Sequence, residues 1–120
     1  MKKFTVGFFL AAVFLASTAQ ATMTIKDFKD AKRVGGQTWN LTQVYLEGVG
    51  EGYASANASL ATNQKQQIFC VPTHFSLNLQ NMLDILDKEF AHPKPIYTDD
   101  FPLVIVLLDG LERAFPCSLH

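Results

Sequence analysis

Phe101–Phe115 reads FPLVIVLLDGLERAF, and the class of the fold turns on it. Its centre, Leu103–Leu108, is six apolar residues in a row with β-branched side chains among them. A buried strand and a buried helix both fit such a run. Length separates them. The apolar positions continue through Leu111 to Phe115, too far for an ordinary strand, and Asp109 and Arg113 stand four apart as a helical pair. Thr98-Asp99-Asp100 supplies capping residues ahead of it, and Pro102 suits a first helical turn. The stretch is therefore expected to be a helix, buried nearly all round and running through the middle of the fold.

Working back along the chain, Leu77–Ala91 is amphipathic. Leu79, Met82, Leu83, Leu86 and Phe90, with Ile85 beside them, form its apolar stripe; Ser76 is the expected N-cap. Asp84, Asp87, Lys88 and Glu89 then fall on the solvated side, with Asp84 and Lys88 as an i,i+4 pair. His92-Pro93 ends that helix. Gln37–Ala61 repeats Leu41, Val44, Tyr45, Gly48, Gly52, Ala56 and Leu60 at steps of three and four, and predicts a long helix with that face inward. Glycine inside a helix costs about 1 kcal/mol relative to alanine. Close approach of a bulky neighbour across Gly48 and Gly52 is the expected compensation. Gly48-x-Gly50-x-Gly52 is no phosphate loop: it follows no strand and no Lys-Ser/Thr pair comes after it. Thr24–Arg33 predicts a short first helix capped by Thr24, with Asp27 near its positive end and Gly35-Gly36 stopping it. The sum is an all-α fold, a small bundle of about four helices.

The first residues carry an address. Met1-Lys2-Lys3 is followed by the mainly apolar Phe4–Ala16 and by Ala19-Gln20-Ala21, an A-x-A cleavage pattern. That order makes residues 1–21 a secretory signal peptide of bacterial appearance, and the run is too short to span a bilayer. Thr22 rather than cysteine follows the cut, so no lipid anchor is expected. The mature domain is then 22–120, in the periplasm. It carries 8 basic and 11 acidic residues, a net charge of 8 − 11 = −3, with no basic stripe. Nucleic acid and anionic membranes are poor partners for such a surface.

Two cysteines in an exported chain most simply pair. Cys70 lies in the apolar knot Ile68–Pro72 and Cys117 in Phe115-Pro116-Cys117. A bridge between them contributes roughly 4 kcal/mol by loop entropy. Cys70 with His74 and Cys117 with His120 offer a zinc-like ligand set, but an oxidising compartment favours the disulfide. The same bridge removes any cysteine nucleophile. No G-x-S-x-G is present, Asp99-Asp100 reads as a cap, and His74 and His92 sit beside turns. No enzyme activity and no cofactor are expected. Binding is left, and the segment best suited to it is His92–Asp100, where Pro93 and Pro95 limit freedom and His92, Lys94, Tyr97, Asp99 and Asp100 are displayed. Tyr97 is the expected anchor.

Tyr45-x-x-Gly48-x-x-x-Gly52-x-x-x-Ala56-Asn57, Phe69-Cys70-Val71-Pro72, His92-Pro93 and Ala114-Phe115-Pro116-Cys117 together resemble the Rap/Tai family, over roughly Leu41–Cys117. The resemblance implies a periplasmic, all-helical immunity protein for a type VI secretion amidase effector, a papain-like enzyme that cuts peptidoglycan crosslink peptides. It implies a homodimer, a protruding loop that enters the toxin's groove, and a disulfide between Cys70 and Cys117. No family motif marks the loop; its assignment to His92–Asp100 rests on expected exposure and stiffness. The alternative is a periplasmic adaptor or stress-related binding protein of the same fold with another partner.

Overall fold

The computed structural model describes residues 22–118; the expected signal peptide and His120 lie outside them. Four helices follow one another: α1 (Ile25–Val34), α2 (Gly36–Thr62), α3 (Leu79–Ala91) and α4 (Leu103–Ala114). The stretch Phe101–Phe115 is helical, as its length requires, and Cys70 and Cys117 form a disulfide.

Local chemistry sets the boundaries. Thr24 caps α1 in a capping box: its hydroxyl accepts from the Asp27 amide while the Asp27 carboxylate accepts from the Thr24 amide. Gly35, at φ 72°, then turns the chain directly into α2. Two expected caps move. Asn78, not Ser76, caps α3, its side chain accepting from the Asn81 amide, so the helix begins at Leu79. Pro102 is the N-cap of α4 rather than part of its first turn.

The core is one cluster to which every helix contributes. Ile25 and Phe28 come from α1, Leu46 from α2, Met82, Ile85 and Leu86 from α3, and Leu103, Val106, Leu107 and Leu111 from α4, with Phe69 from the connecting segment. The stripe expected on α3 is the one it buries. Helix α4 is buried along one broad face rather than all round: Ile105 is 40% exposed.

The face of α2 is a correction. Its buried residues are Thr42, Leu46, Gly50 and Asn57, while Leu41 and Val44 are each 63% exposed. The buried stripe was disguised because two of its members are polar. Thr42 is satisfied by the Thr38 carbonyl. Asn57 accepts from the Ile68 amide and donates to the Phe69 carbonyl, so neither carries the cost of an unpaired buried polar group. The glycine expectation shifts with the face. A Cβ at Gly48 or Gly52 meets nothing within 4 Å, whereas one at Gly50 would run into the Met82 thioether. Gly50 is the close-approach glycine; Gly48 and Gly52 lie on the back of the helix.

Candidate functional site

The connection between α3 and α4 holds the expected binding residues, and the fold treats them in two ways. His92, Asp99 and Asp100 are exposed. Tyr97 faces inward, and the half-exposed Lys94 turns its ammonium back toward Asp109. The Tyr97 hydroxyl lies 3.0 Å from Glu89 Oε2 and 2.9 Å from Asp109 Oδ2, and the Lys94 ammonium donates to the same Asp109 oxygen at 2.8 Å. Arg113 reaches the other Glu89 oxygen at 3.2 Å. The Tyr97 ring packs on Phe101.

Glu89 is the correction here. It was placed on the solvated face of α3, yet it is 2% exposed and buried against α4. A buried carboxylate needs partners, and two arrive that the spacing rules did not foretell. Arg113 pairs across helices with Glu89 rather than along α4 with Asp109, which pairs with Lys94 instead. Asp84 likewise bonds Gln80 and not Lys88.

The cluster shapes its own proton affinities. Burial pushes the Tyr97 phenol up, and hydrogen bonds to Asp109 and Glu89 push it further, well beyond the ordinary phenol range. Burial alone would raise the Asp109 carboxyl, but hydrogen bonds from Lys94 and Tyr97 outweigh it and hold that group below its ordinary value. Tyr97 is thus a donor fixed in its neutral form, suited to holding a loop and unsuited to attack as a phenolate.

The rest of the loop is held by main chain. The Ile25 and Lys26 amides at the start of α1 donate to the Phe101 and Asp99 carbonyls, each at 3.0 Å, and the Leu103 amide donates to the Met23 carbonyl at 2.9 Å. Thr24 and Pro102 form an antiparallel bridge. These bonds satisfy α1 amides that have no partner within their own helix. What the braced loop offers outward is Ile96, 60% exposed, flanked by Pro95 and by the two aspartates. Sequence reasoning passed over Ile96 because Tyr97 next to it is the better generic anchor; the position of Glu89 under Tyr97 is what reverses the two.

Two other surfaces stand open. The back of α2, along Leu41, Val44, Gly48, Gly52, Ser55 and Ser59, is exposed, with Glu47 and Glu51 along one margin. Beside α2, two adjoining hollows of about 370 and 260 Å³ share Ala54 and Leu77 and form a trench between that helix and the segment leading to α3. Among the described residues no group of three or more His, Cys, Asp or Glu is placed to hold a metal ion, and no helix is long and apolar enough to cross a membrane.

A scan against protein-family models found no match, and searches of the curated proteins and of the solved structures found none at the same stringency.

Proposed function

We propose that the protein is a periplasmic immunity protein that binds a type VI secretion peptidoglycan amidase and occludes its active site, acting by surface complementarity and without a reaction of its own. The observation that carries this reading is the state of the His92–Asp100 loop. It is exposed at Ile96, Asp99 and Asp100 yet held from beneath by Tyr97, Lys94 and the start of α1. A loop already fixed in shape loses little conformational freedom on docking, which is what a plug for a groove requires. The residues behind the resemblance support the reading as well: Asn57, Phe69, Cys70 and Cys117 form the joint at the opposite end of the bundle.

In this reading Ile96 enters the groove and the two aspartates meet its basic rim, while Tyr97 positions the loop rather than touching the enzyme. Two copies associate through the exposed back of α2, where Gly48 and Gly52 have no close neighbour within their own chain. The deciding experiment is inhibition of the amidase encoded beside this gene. Stoichiometric inhibition, lost on Ile96→Asp with the fold intact, is expected; an amidase neither bound nor inhibited rejects the reading. Sedimentation of Gly48→Leu checks the dimer separately, with a shift to monomer expected.

The alternative, a periplasmic adaptor with a different partner, is favoured by one observation, the open trench beside α2.

A further inference from the structure

That trench has a chemistry of its own. Its floor is shaped by small residues of α2, Gly50, Ala54 and Ala58, and mixes apolar side chains such as Met82 and Leu77 with amides such as Asn78. Glu47 and Glu51 line one end. They are the only charged residues in the 27 residues of α2, both are exposed, and neither forms an ion pair or hydrogen bond through its carboxylate among the described residues. The trench therefore has a body of small apolar side chains interrupted by amides, and an unneutralised negative end.

Its far wall is an open main-chain edge. In Val71–Leu77, which is neither helix nor strand, the Phe75 amide is the one amide that donates to another backbone group, the Pro72 carbonyl at 3.0 Å. The Ser76 carbonyl accepts from the Asn81 side chain, while the Thr73, His74 and Leu77 amides have no protein partner among the described residues and can pair with an added chain, as in strand-addition recognition. From Glu47 to Ala58 the helix rises about 16 Å, the span of roughly five residues of extended peptide.

We propose that this trench is a docking site for an extended peptide that carries a lysine or arginine at one end and apolar side chains at alternate positions after it. The cation sits between Glu47 and Glu51, apolar side chains fall over Ala54 and Ala58, and the peptide backbone pairs with Val71–Leu77. The site is separate from the His92–Asp100 loop and does not depend on what that loop binds.

Panning a random heptapeptide display library on the oxidised mature protein tests it, followed by titration of the selected, fluorophore-labelled peptides by anisotropy. Enrichment of Lys or Arg at one end with alternating apolar residues is expected. Affinity should fall about tenfold or more, a difference of roughly 1.4 kcal/mol, in Ala54→Trp, which fills the floor, and in Glu47→Lys/Glu51→Lys, which reverses the charge. All three positions are exposed on a long helix, and circular dichroism checks that the variants fold. Selected peptides that are acidic or helical, that bind Ala54→Trp unchanged, or that are not enriched at all overturn the proposal; so does a trench covered by a second copy of this chain in solution. Inhibition of an amidase by the loop is expected to be the same in Ala54→Trp as in the parent protein.

Discussion

The two ends of the bundle are closed by different forces. At one end, where α2 finishes and α4 finishes, the closure is covalent and largely apolar. The Cys70–Cys117 bridge is joined there by the Cys70 amide bond to the Phe115 carbonyl at 2.8 Å, by the Phe75–Phe115 ring contact and by Asn57 on the Ile68 and Phe69 backbone. At the other end, where α1 begins and α3 passes into α4, no disulfide exists and polar contacts do the holding, through Lys94, Tyr97, Asp109 and Glu89. The first kind of closure responds to redox state and hardly to pH or salt. The second responds to pH and is indifferent to reductant. The loop proposed to meet a partner is thereby set at the end whose shape is fixed by polar geometry, while the covalent constraint lies at the opposite end.

The largest effect expected from breaking this contrast is at the covalent end. Cys70→Ser with Cys117→Ser should lower stability by roughly 2–5 kcal/mol, measured by denaturant unfolding, while hydrogen exchange in the 92–100 loop stays near that of the parent at matched stability. Next comes Asn57→Ala, which strands the Ile68 amide and the Phe69 carbonyl at a buried site; about 2–4 kcal/mol is expected, read by the same unfolding curves.

Much of this molecule was legible in the chain and the illegible part has a physical pattern. The capping box at Thr24, the α3 stripe and the helical nature of Leu103–Leu108 follow from local rules, and they hold. The failures share one cause. Thr42, Asn57 and Glu89 are polar residues that turn inward because each finds a partner there, Thr42 within its own helix and Asn57 and Glu89 outside theirs. Periodicity weighs hydrophobicity and cannot see such partners, so the inward face of α2 was read from Leu41 and Val44, which face water. The loop shows the same thing. Exposure of the connection as a whole was readable from its prolines and polar residues, but which of Ile96 and Tyr97 turns outward depends on a carboxylate waiting beneath, supplied by another helix.

At the ionic end a smaller effect is expected. Tyr97→Phe keeps the ring on Phe101 and removes one hydroxyl shared by two carboxylates; a loss of about 1–2 kcal/mol should appear together with faster exchange of loop amides. The pH response distinguishes the ends further. The Asp109 carboxyl lies below its ordinary value in the folded chain, so its contribution is complete above the unfolded value of about 3.9 and fades as pH falls through the folded one. The Tyr97 phenol is raised, so its contribution is complete below the unfolded value of about 10 and fades as pH rises beyond it. Asp109→Asn should flatten the acid limb of a stability–pH curve and Tyr97→Phe the alkaline limb, with the disulfide variant keeping both.

The smallest effect belongs to α2. Gly48→Ala, with open space around its Cβ, should stabilise the isolated subunit by up to about 1 kcal/mol, read by thermal unfolding at low protein concentration.

The bridge between residues 47 positions apart also encloses α3, the exposed loop and α4 in a single covalent ring. A protease that nicks the loop between His92 and Phe101 cuts the thread without dividing the molecule. The piece bearing α1, α2 and α3 and the piece bearing α4 stay tied through sulfur and still share one core. In the compartment where the bridge persists, a nicked copy travels, weighs and diffuses as an intact one, and its damage becomes visible when a thiol opens the ring.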